Sequence, residues 1–338
     1  MSTWARRGSR MAVITYREAL NQALREEMER DERVFLLGED IGLYEGAYKV
    51  TAGLLAQFGD KRVKDTPIAE EVIIGAAAGA ALTGLRPVAE LMTVNFALVA
   101  IDQIVNNAAK MHFMFGGHAT VPLVVRMPAG GGHQLGAQHS QMLDVYFAYV
   151  PGLLVATPST PADAKGLLKS AIRDENPVIF LENEALYNTR GEVPEGEHLI
   201  PLGRAEVKRQ GSDVTIVSHS RAVLWALEAA NTLAKEGIEA EVVDLRTLRP
   251  LDMEPVLESV RKTYHAVVVE EGWPQYGVSA EVAARISRDA FDYLDAPVAR
   301  VGGAEVPMPY AKVLERAAMA SPRAIVDAVK SLRQRTGS

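Results

Sequence analysis

The sequence predicts an α/β protein built as two doubly wound, mainly parallel-sheet domains. Three observations carry that expectation. Short runs rich in Val, Ile and Leu alternate with helical patterns along the whole chain, which is how βαβ units read. The chain has 338 residues, and a single hydrophobic core seldom grows that large, so it should divide. A polar stretch at 188–203, with Gly191, Pro194, Gly196 and Pro201, separates the runs into two sets and has a linker composition.

Residues 1–11 hold Arg6, Arg7 and Arg10 without an acid or the apolar segment of a secretory signal; they read as a disordered extension, with Met11 an alternative start. The first domain is expected at 12–187. Its first helix, 16–29, puts Ala19, Leu20, Ala23, Leu24 and Met28 on one stripe. Strands are expected at 34–38 and 88–92. Between them, the Gly/Ala-rich run 72–85 is shorter than the ~20 residues of a membrane span and reads as a buried helix. Further strands are expected at 123–127, 154–157 and 178–182. Helix 161–173 has Ser159 and Thr160 as capping candidates and Pro161 in its first turn. The second domain, 204–330, should hold strands at 214–218, 240–245, 266–270 and 298–301, with helix 223–235 ending before Gly237. Residues 331–338 read as a polar tail. No short-period repeat or low-complexity tract interrupts the pattern.

Composition narrows the function. A net charge of −7 gives no basic footprint, so no nucleic-acid partner is expected. The absence of cysteine rules out disulfides, thiolate metal sites and cysteine nucleophiles and fits a reducing compartment; with no apolar run of the ~20 residues a membrane span needs, a cytoplasmic location is expected. The most glycine-rich stretch is Gly130-Gly131-Gly132-His133-Gln134-Leu135-Gly136-Ala137-Gln138. It fails as a phosphate loop, because Ala137 and Gln138 stand where Lys and Ser/Thr are required. It fails as a dinucleotide fingerprint because Leu135 takes the third glycine position. No nucleophile-elbow serine and no His-Glu-x-x-His zinc motif occurs.

Three places in the first domain could carry chemistry. Asp65-Thr66-Pro67-Ile68-Ala69-Glu70-Glu71 joins a strand to the Gly/Ala-rich helix, and Glu70 falls in the first turn, where the helix dipole favours a carboxylate. From spacing alone Glu70 reads as a capping acid; of the two neighbouring acids at most one can face an interior site. Met92 and Phe96 follow a strand end, where ligands of parallel sheets sit, although alone they read as core residues. His139 lies in the glycine-rich loop rather than on an apolar face, which favours an exposed, functional imidazole.

Gly46-Ala47-Tyr48-Lys49-Val50, Asp65–Glu70, Gly84-Leu85-Arg86-Pro87, the stretch 92–96 and the stretch 137–141 resemble, in order, the pyruvate dehydrogenase beta subunit. So do Ala171-Ile172-Arg173-Asp174, Glu271-Gly272-Trp273-Pro274-Gln275, Asp295-Ala296-Pro297 and Val306-Pro307-Met308-Pro309-Tyr310-Ala311. The resemblance covers 11 to about 330 and is far more specific than any single motif. The family is the thiamine-diphosphate-dependent decarboxylating component of 2-oxo acid dehydrogenase complexes, with a transketolase-like pyrimidine-binding domain and a transketolase C-terminal domain. It implies an alpha2-beta2 heterotetramer with active sites between subunits, a small-molecule 2-oxo acid as substrate, and a dihydrolipoyl acyltransferase core whose lipoyl domain accepts the acyl group.

By that resemblance Glu70 matches the catalytic glutamate that hydrogen-bonds the cofactor's aminopyrimidine; proton exchange with the ring nitrogen starts the activation of the thiazolium carbon. An apolar pocket there would raise the carboxyl pKa. Phe96 matches an aromatic stacked on that ring, Met92 its apolar neighbour, and His139 a histidine reaching toward substrate and lipoyl group. Leu123, Ala171, Ile172, Asp174 and Asn176 match a potassium site built mostly of backbone carbonyls; from sequence alone an ordinary helix C-terminus explains them as well. The diphosphate is held through Mg2+ by a Gly-Asp-Gly motif of the family's alpha subunit. This chain has no Gly-Asp-Gly, since Gly59-Asp60 is followed by Lys61. Pyruvate is the expected substrate, with branched-chain 2-oxo acid and acetoin dehydrogenases as alternatives. A self-sufficient deoxyxylulose-phosphate synthase is disfavoured by length and the missing motif, a non-catalytic interaction protein by the presence of Glu70, Phe96 and His139, and a nucleotide-binding oxidoreductase by the lack of any phosphate fingerprint.

Overall fold

The computed structural model describes residues 11–336. β1 (Met11–Thr15) turns directly into α1 (Tyr16–Arg30) because Thr15 and Glu18 cap one another. The Thr15 hydroxyl accepts from the Glu18 N–H, and the Glu18 carboxylate accepts from the Thr15 N–H at 2.7 Å. The predicted stripe from Ala19 to Met28 is buried against the core. The chain continues through β2 (Val34–Glu39), α2 (Leu54–Phe58), β3 (Val63–Thr66), α3 (Glu70–Leu82), β4 (Arg86–Glu90), α4 (Met111–Met114) and β5 (Val124–Ala129). Next come α5 (Asp144–Ala148), β6 (Leu154–Ala156), α6 (Pro161–Arg173), β7 (Val178–Asn183) and β8 (Arg190–Pro194). The second half carries β9 (Glu206–Arg209), β10 (Val214–Ser218), α7 (Ala222–Ala234), β11 (Ala240–Asp244) and β12 (Thr247–Arg249). It ends with α8 (Glu254–Thr263), β13 (Ala266–Val269), α9 (Val278–Asp289), β14 (Ala299–Val301), α10 (Lys312–Ala318) and α11 (Pro322–Thr336).

The expected class, α/β with two mainly parallel sheets, is the one found. The first sheet has seven strands in the order β12-β6-β7-β5-β4-β2-β3, all parallel except β12. The second has five, β14-β13-β10-β11-β9, parallel except β9. Helices cover both faces, which is why β5, β7 and β10 are continuously buried rather than alternating. One apolar cluster runs from α3 and the first sheet through Val217, Val243 and Leu245 to α8 and α9, so the two halves share a core. Among the described residues no helix is long and apolar enough to cross a membrane.

Three expectations at the boundaries need correction. Met11 opens β1 instead of closing a disordered extension; the rest of that extension, 1–10, lies outside the described residues. The stretch 188–203, expected as a linker, carries β8, which pairs antiparallel with β1 from Met11↔Pro194 to Thr15↔Arg190. The pairing is made by backbone groups, which a polar composition does not reveal, and only Val193 of the strand is buried. The supposed tail at 331–338 is mostly α11, because Ile325, Val326, Val329 and Leu332 make a buried stripe that reaches into it.

Inside the first sheet a charge is buried deliberately. Arg126 of β5 is 2% exposed and binds Glu90 of β4 at 2.5 Å and Glu182 of β7 at 2.6 and 2.8 Å. Tyr187 donates to Glu182 at 2.7 Å. Burial pushes the Glu90 carboxyl up in spite of Arg126, while the two carboxylates overcome burial and hold Arg126 above its ordinary value. The triad ties three neighbouring strands just below their carboxyl ends.

Candidate active site

Parallel strands deliver their carboxyl ends to one edge of the sheet, so the loops after β2, β3, β4, β5 and β7 gather there. Three of those loops carry the candidate residues. Glu70 opens α3 after a link of only three residues from β3, and the N-cap of α3, Ala69, makes no side-chain cap. Glu70 is 8% exposed whereas Glu71 faces solvent, so the pair divides as helical geometry requires. Among the described residues no donor meets the Glu70 carboxylate. Thr66, at the end of β3, has a buried hydroxyl without a partner. Burial, together with the charges of Asp40 and Glu70, pushes the nearby Glu39 carboxyl above its usual range. Exposed apolar side chains stand on the same two segments, Leu43 and Tyr44 after β2 and Ile68 and Val72 flanking Glu70. The Asp65 carboxylate shapes the loop after β2 by accepting from the Gly42 N–H at 2.6 Å and the Leu43 N–H at 3.0 Å.

Met92 and Phe96 follow β4 and are half-buried; Phe96 sits in a short 3-10 turn, Val94–Leu98. The Thr93 hydroxyl donates to Asn95 Oδ1 at 2.8 Å, and Asn95 Nδ2 donates to Gln141 Oε1 at 2.7 Å. This clasp draws the loop after β5 against the loop after β4. It sets the exposed His139 ring edge-on to Phe96, with centroids 5.2 Å apart and planes at 89°. Phe96 and His139 are therefore one contact pair, and Glu70 stands on the same edge on the other side of β2. Sequence reasoning missed Asn95 and Gln141. It also missed Glu184 after β7, which accepts from Tyr48 at 2.9 Å and lies 3.2 Å from His133 Nδ1. Burial pushes the Glu184 carboxyl up.

Residues 12–190 match the transketolase pyrimidine-binding domain, and residues 203–325 match the transketolase C-terminal domain. The chain is 54% identical over 322 residues to the mitochondrial pyruvate dehydrogenase E1 component subunit beta of Bos taurus, covering 94% of this chain and 90% of that one. It is 53% identical over 319 residues to the same subunit of Rickettsia felis, covering 94% and 98%. This chain belongs to the pyruvate dehydrogenase E1 beta subunits. The corresponding subunit of Rhizobium meliloti is 52% identical over 326 residues, covering 96% of this chain and 71% of that one. Among solved structures, a split-gene transketolase in an inactive beta4 tetramer superposes with a TM-score of 0.78 at 28% identity, covering 94% and 98%.

In this E1 beta subunit the residues matched to potassium lie at the opposite, amino edge of the sheet. Leu123 precedes β5, while Ala171, Ile172, Asp174 and Asn176 span the end of α6 and the turn into β7. The cation already facing them is Arg86, missed in the sequence. Its Nε donates to the Ile172 carbonyl at 2.9 Å and its Nη2 to the Asp174 carbonyl at 2.7 Å, with Nη1 on Glu175 at 2.7 Å. The Leu123 carbonyl accepts from Val178 N–H at 2.8 Å, and Asp174 Oδ1 accepts from Asn176 N–H at 2.8 Å. Each of these carbonyls keeps a second lone pair, so the oxygen set fits a hard monovalent ion only in company with the guanidinium. Among the described residues no group of three or more His, Cys, Asp or Glu could hold a metal.

Proposed function

We propose that this chain is the cytoplasmic beta subunit of a thiamine-diphosphate-dependent pyruvate dehydrogenase, catalysing oxidative decarboxylation of pyruvate with acetyl transfer to a lipoyl group. The observation that carries the site assignment is the buried, unpartnered hydroxyl of Thr66 at the end of β3, four residues before Glu70, a residue 8% exposed whose carboxylate no described donor meets. Buried polar groups are nearly always satisfied, so the Thr66 hydroxyl supports a ligand at this edge, and the open Glu70 carboxylate is placed to accept from a donor such as an aminopyrimidine ring. When bound, thiamine diphosphate supplies the nucleophilic carbon and the electron sink for loss of carbon dioxide. Glu70 holds and exchanges the proton at the pyrimidine nitrogen. Phe96 and Met92 offer the ring a flat apolar wall. His139 delivers a proton to the sulfur released when the lipoyl disulfide opens.

Mg2+ and the diphosphate belong in this reading to an alpha subunit. The open apolar surface at Leu43, Tyr44, Ile68 and Val72 supports a partner there, in an alpha2-beta2 assembly. A potassium ion shared by Leu123, Ala171, Ile172, Asp174 and Asn176 would be structural; exchanging K+ for Na+ should then lower the melting temperature without altering substrate choice. Docking to a dihydrolipoyl acyltransferase core completes the proposal. The split-gene transketolase beta chains form an inactive tetramer, and this chain alone should likewise be inactive.

The test is reconstitution. Calorimetric titration of the isolated chain with thiamine diphosphate and Mg2+ should detect weak binding or none. Adding the alpha subunit should bring tight binding and pyruvate-dependent reduction of an artificial acceptor, in preference to branched-chain 2-oxo acids or acetoin. Tight binding or turnover by the isolated chain would refute the division of the site, and a stronger response to another substrate would refute pyruvate.

A further inference from the structure

The loop that carries His139 is not held by its own domain alone. Four of its residues have left-handed backbone: Gly130 (φ +92), Gly132 (φ +112), Gln134 (φ +57) and Gly136 (φ +79). Three are glycines, which adopt that conformation freely, but Gln134 does so at a cost. The strained turn is gripped from the second domain. Glu315 of α10 is 1% exposed; its Oε1 accepts from the Gly132 N–H and the Gln134 N–H, each at 3.0 Å, and its Oε2 accepts from Gln134 Nε2 at 2.5 Å. Three donors on one carboxylate, with His133 nearby, more than offset burial and hold the Glu315 carboxyl below its usual range. Tyr310, just before α10, lies against the same loop, so close that a Cβ on Gly136 would come within 2.6 Å of its ring.

We propose that Glu315 is a positioning residue for acyl transfer. From the second domain it fixes the turn at 132–134, and through that turn it aims His139 at the incoming lipoyl group. The geometry fits this task, because the carboxylate grips the one non-glycine residue whose backbone strains. His139 itself follows the Gly136 turn, where its N–H donates to the Gly136 carbonyl at 3.3 Å. Releasing the turn frees the imidazole without touching Glu70 or Met92. The inference rests on the assignment of His139 to acyl transfer.

The experiment uses the assembled alpha-beta holoenzyme at saturating thiamine diphosphate and compares Glu315→Gln, Gln134→Asn, His139→Ala and the double variant Glu315→Gln/His139→Ala. Asparagine tolerates the left-handed backbone but is too short to reach Glu315, so Gln134→Asn loosens the same grip without disturbing α10. Acetylation of a lipoyl domain should fall about ten- to a hundredfold in Glu315→Gln and several-fold in Gln134→Asn, since small misplacements of a reacting group cost that much. Reduction of an artificial acceptor should change by less than about threefold, and the double variant should be no slower than His139→Ala, because residues acting through one another are not additive. Equal losses in both assays for Glu315→Gln and Gln134→Asn, or losses that multiply in the double variant, would overturn the positioning role. If His139→Ala itself slows both assays alike, the acyl-transfer reading falls first and takes this inference with it. If His139→Ala is selective and the other two are not, the inference fails alone.

Discussion

Glu70 shows how far one residue can be read. Its sequence context offers a first-turn acid and nothing more, and only the resemblance makes it catalytic. The fold adds that the residue is only 8% exposed and that no described donor meets its carboxylate. Glu70→Gln should leave assembly intact yet lower decarboxylation by ~10²–10⁴-fold, because an amide cannot exchange the proton. Glu71→Gln, on the solvent side, should stay within about twofold of the parent; equal losses in the two variants would show that the wrong acid has been chosen. His139→Ala should separate the half-reactions, slowing lipoyl acetylation more than acceptor reduction. Other residues were illegible for a physical reason. Asn95, Gln141 and Glu184 act through partners 46 and 136 residues away, and Arg86 through carbonyls up to 88 residues distant; local patterns carry no trace of such pairs.

At the scale of elements, period and capping were sufficient where burial is regular. The strands at 34–38, 178–182 and 214–218 appear within one residue of their expected ends, since continuous apolar runs and glycine-bounded helices are local signals. β8 was missed because a ribbon held by backbone pairing needs no apolar run. The Glu90–Arg126–Glu182 triad was missed too, because each charge alone argues against a buried strand. Arg126→Met should destabilise the protein by about 3–5 kcal/mol, because it strands two buried carboxylates. The triple variant Arg126→Met/Glu90→Leu/Glu182→Leu should recover most of that loss, within about 1–2 kcal/mol of the parent. Urea unfolding at one protein concentration checks both. A triple variant as unstable as the single one would mean that the triad itself, rather than its broken remnant, carries the stability.

For the whole molecule, the junction between the halves holds a titrating contact. Asp144 at the start of α5 and His219 after β10 are both 2% exposed and meet at 2.7 Å. Burial alone would push the imidazole down; the hydrogen bond and charge of Asp144 prevail, with Glu270 and Asp244 adding to them, and hold it above its ordinary value. A base raised in the folded state adds stability fully present below its unfolded pKa of about 6.5 and lost as pH rises through the folded value. The melting temperature should therefore decline as the pH rises from about 6.5 through the folded value, and His219→Gln should flatten that decline. An unchanged slope in the variant would assign the dependence to other groups.

β12 gives the two halves a different kind of bond. It comes from the second half of the chain yet completes the β6 edge of the first sheet, pairing Thr247↔Ala156 and Arg249↔Val155 across a bulge. The exposed stretch at 195–197 is where a protease would cut. Such a cut should nick the chain without releasing either piece, so the fragments should co-elute on size exclusion and part only in denaturant. Expressed alone, residues 11–194 would present a bare strand edge at β6 and should aggregate. The halves are thus separable as sequence families but not as folding units. A gene split at the apparent linker would have to make both products together.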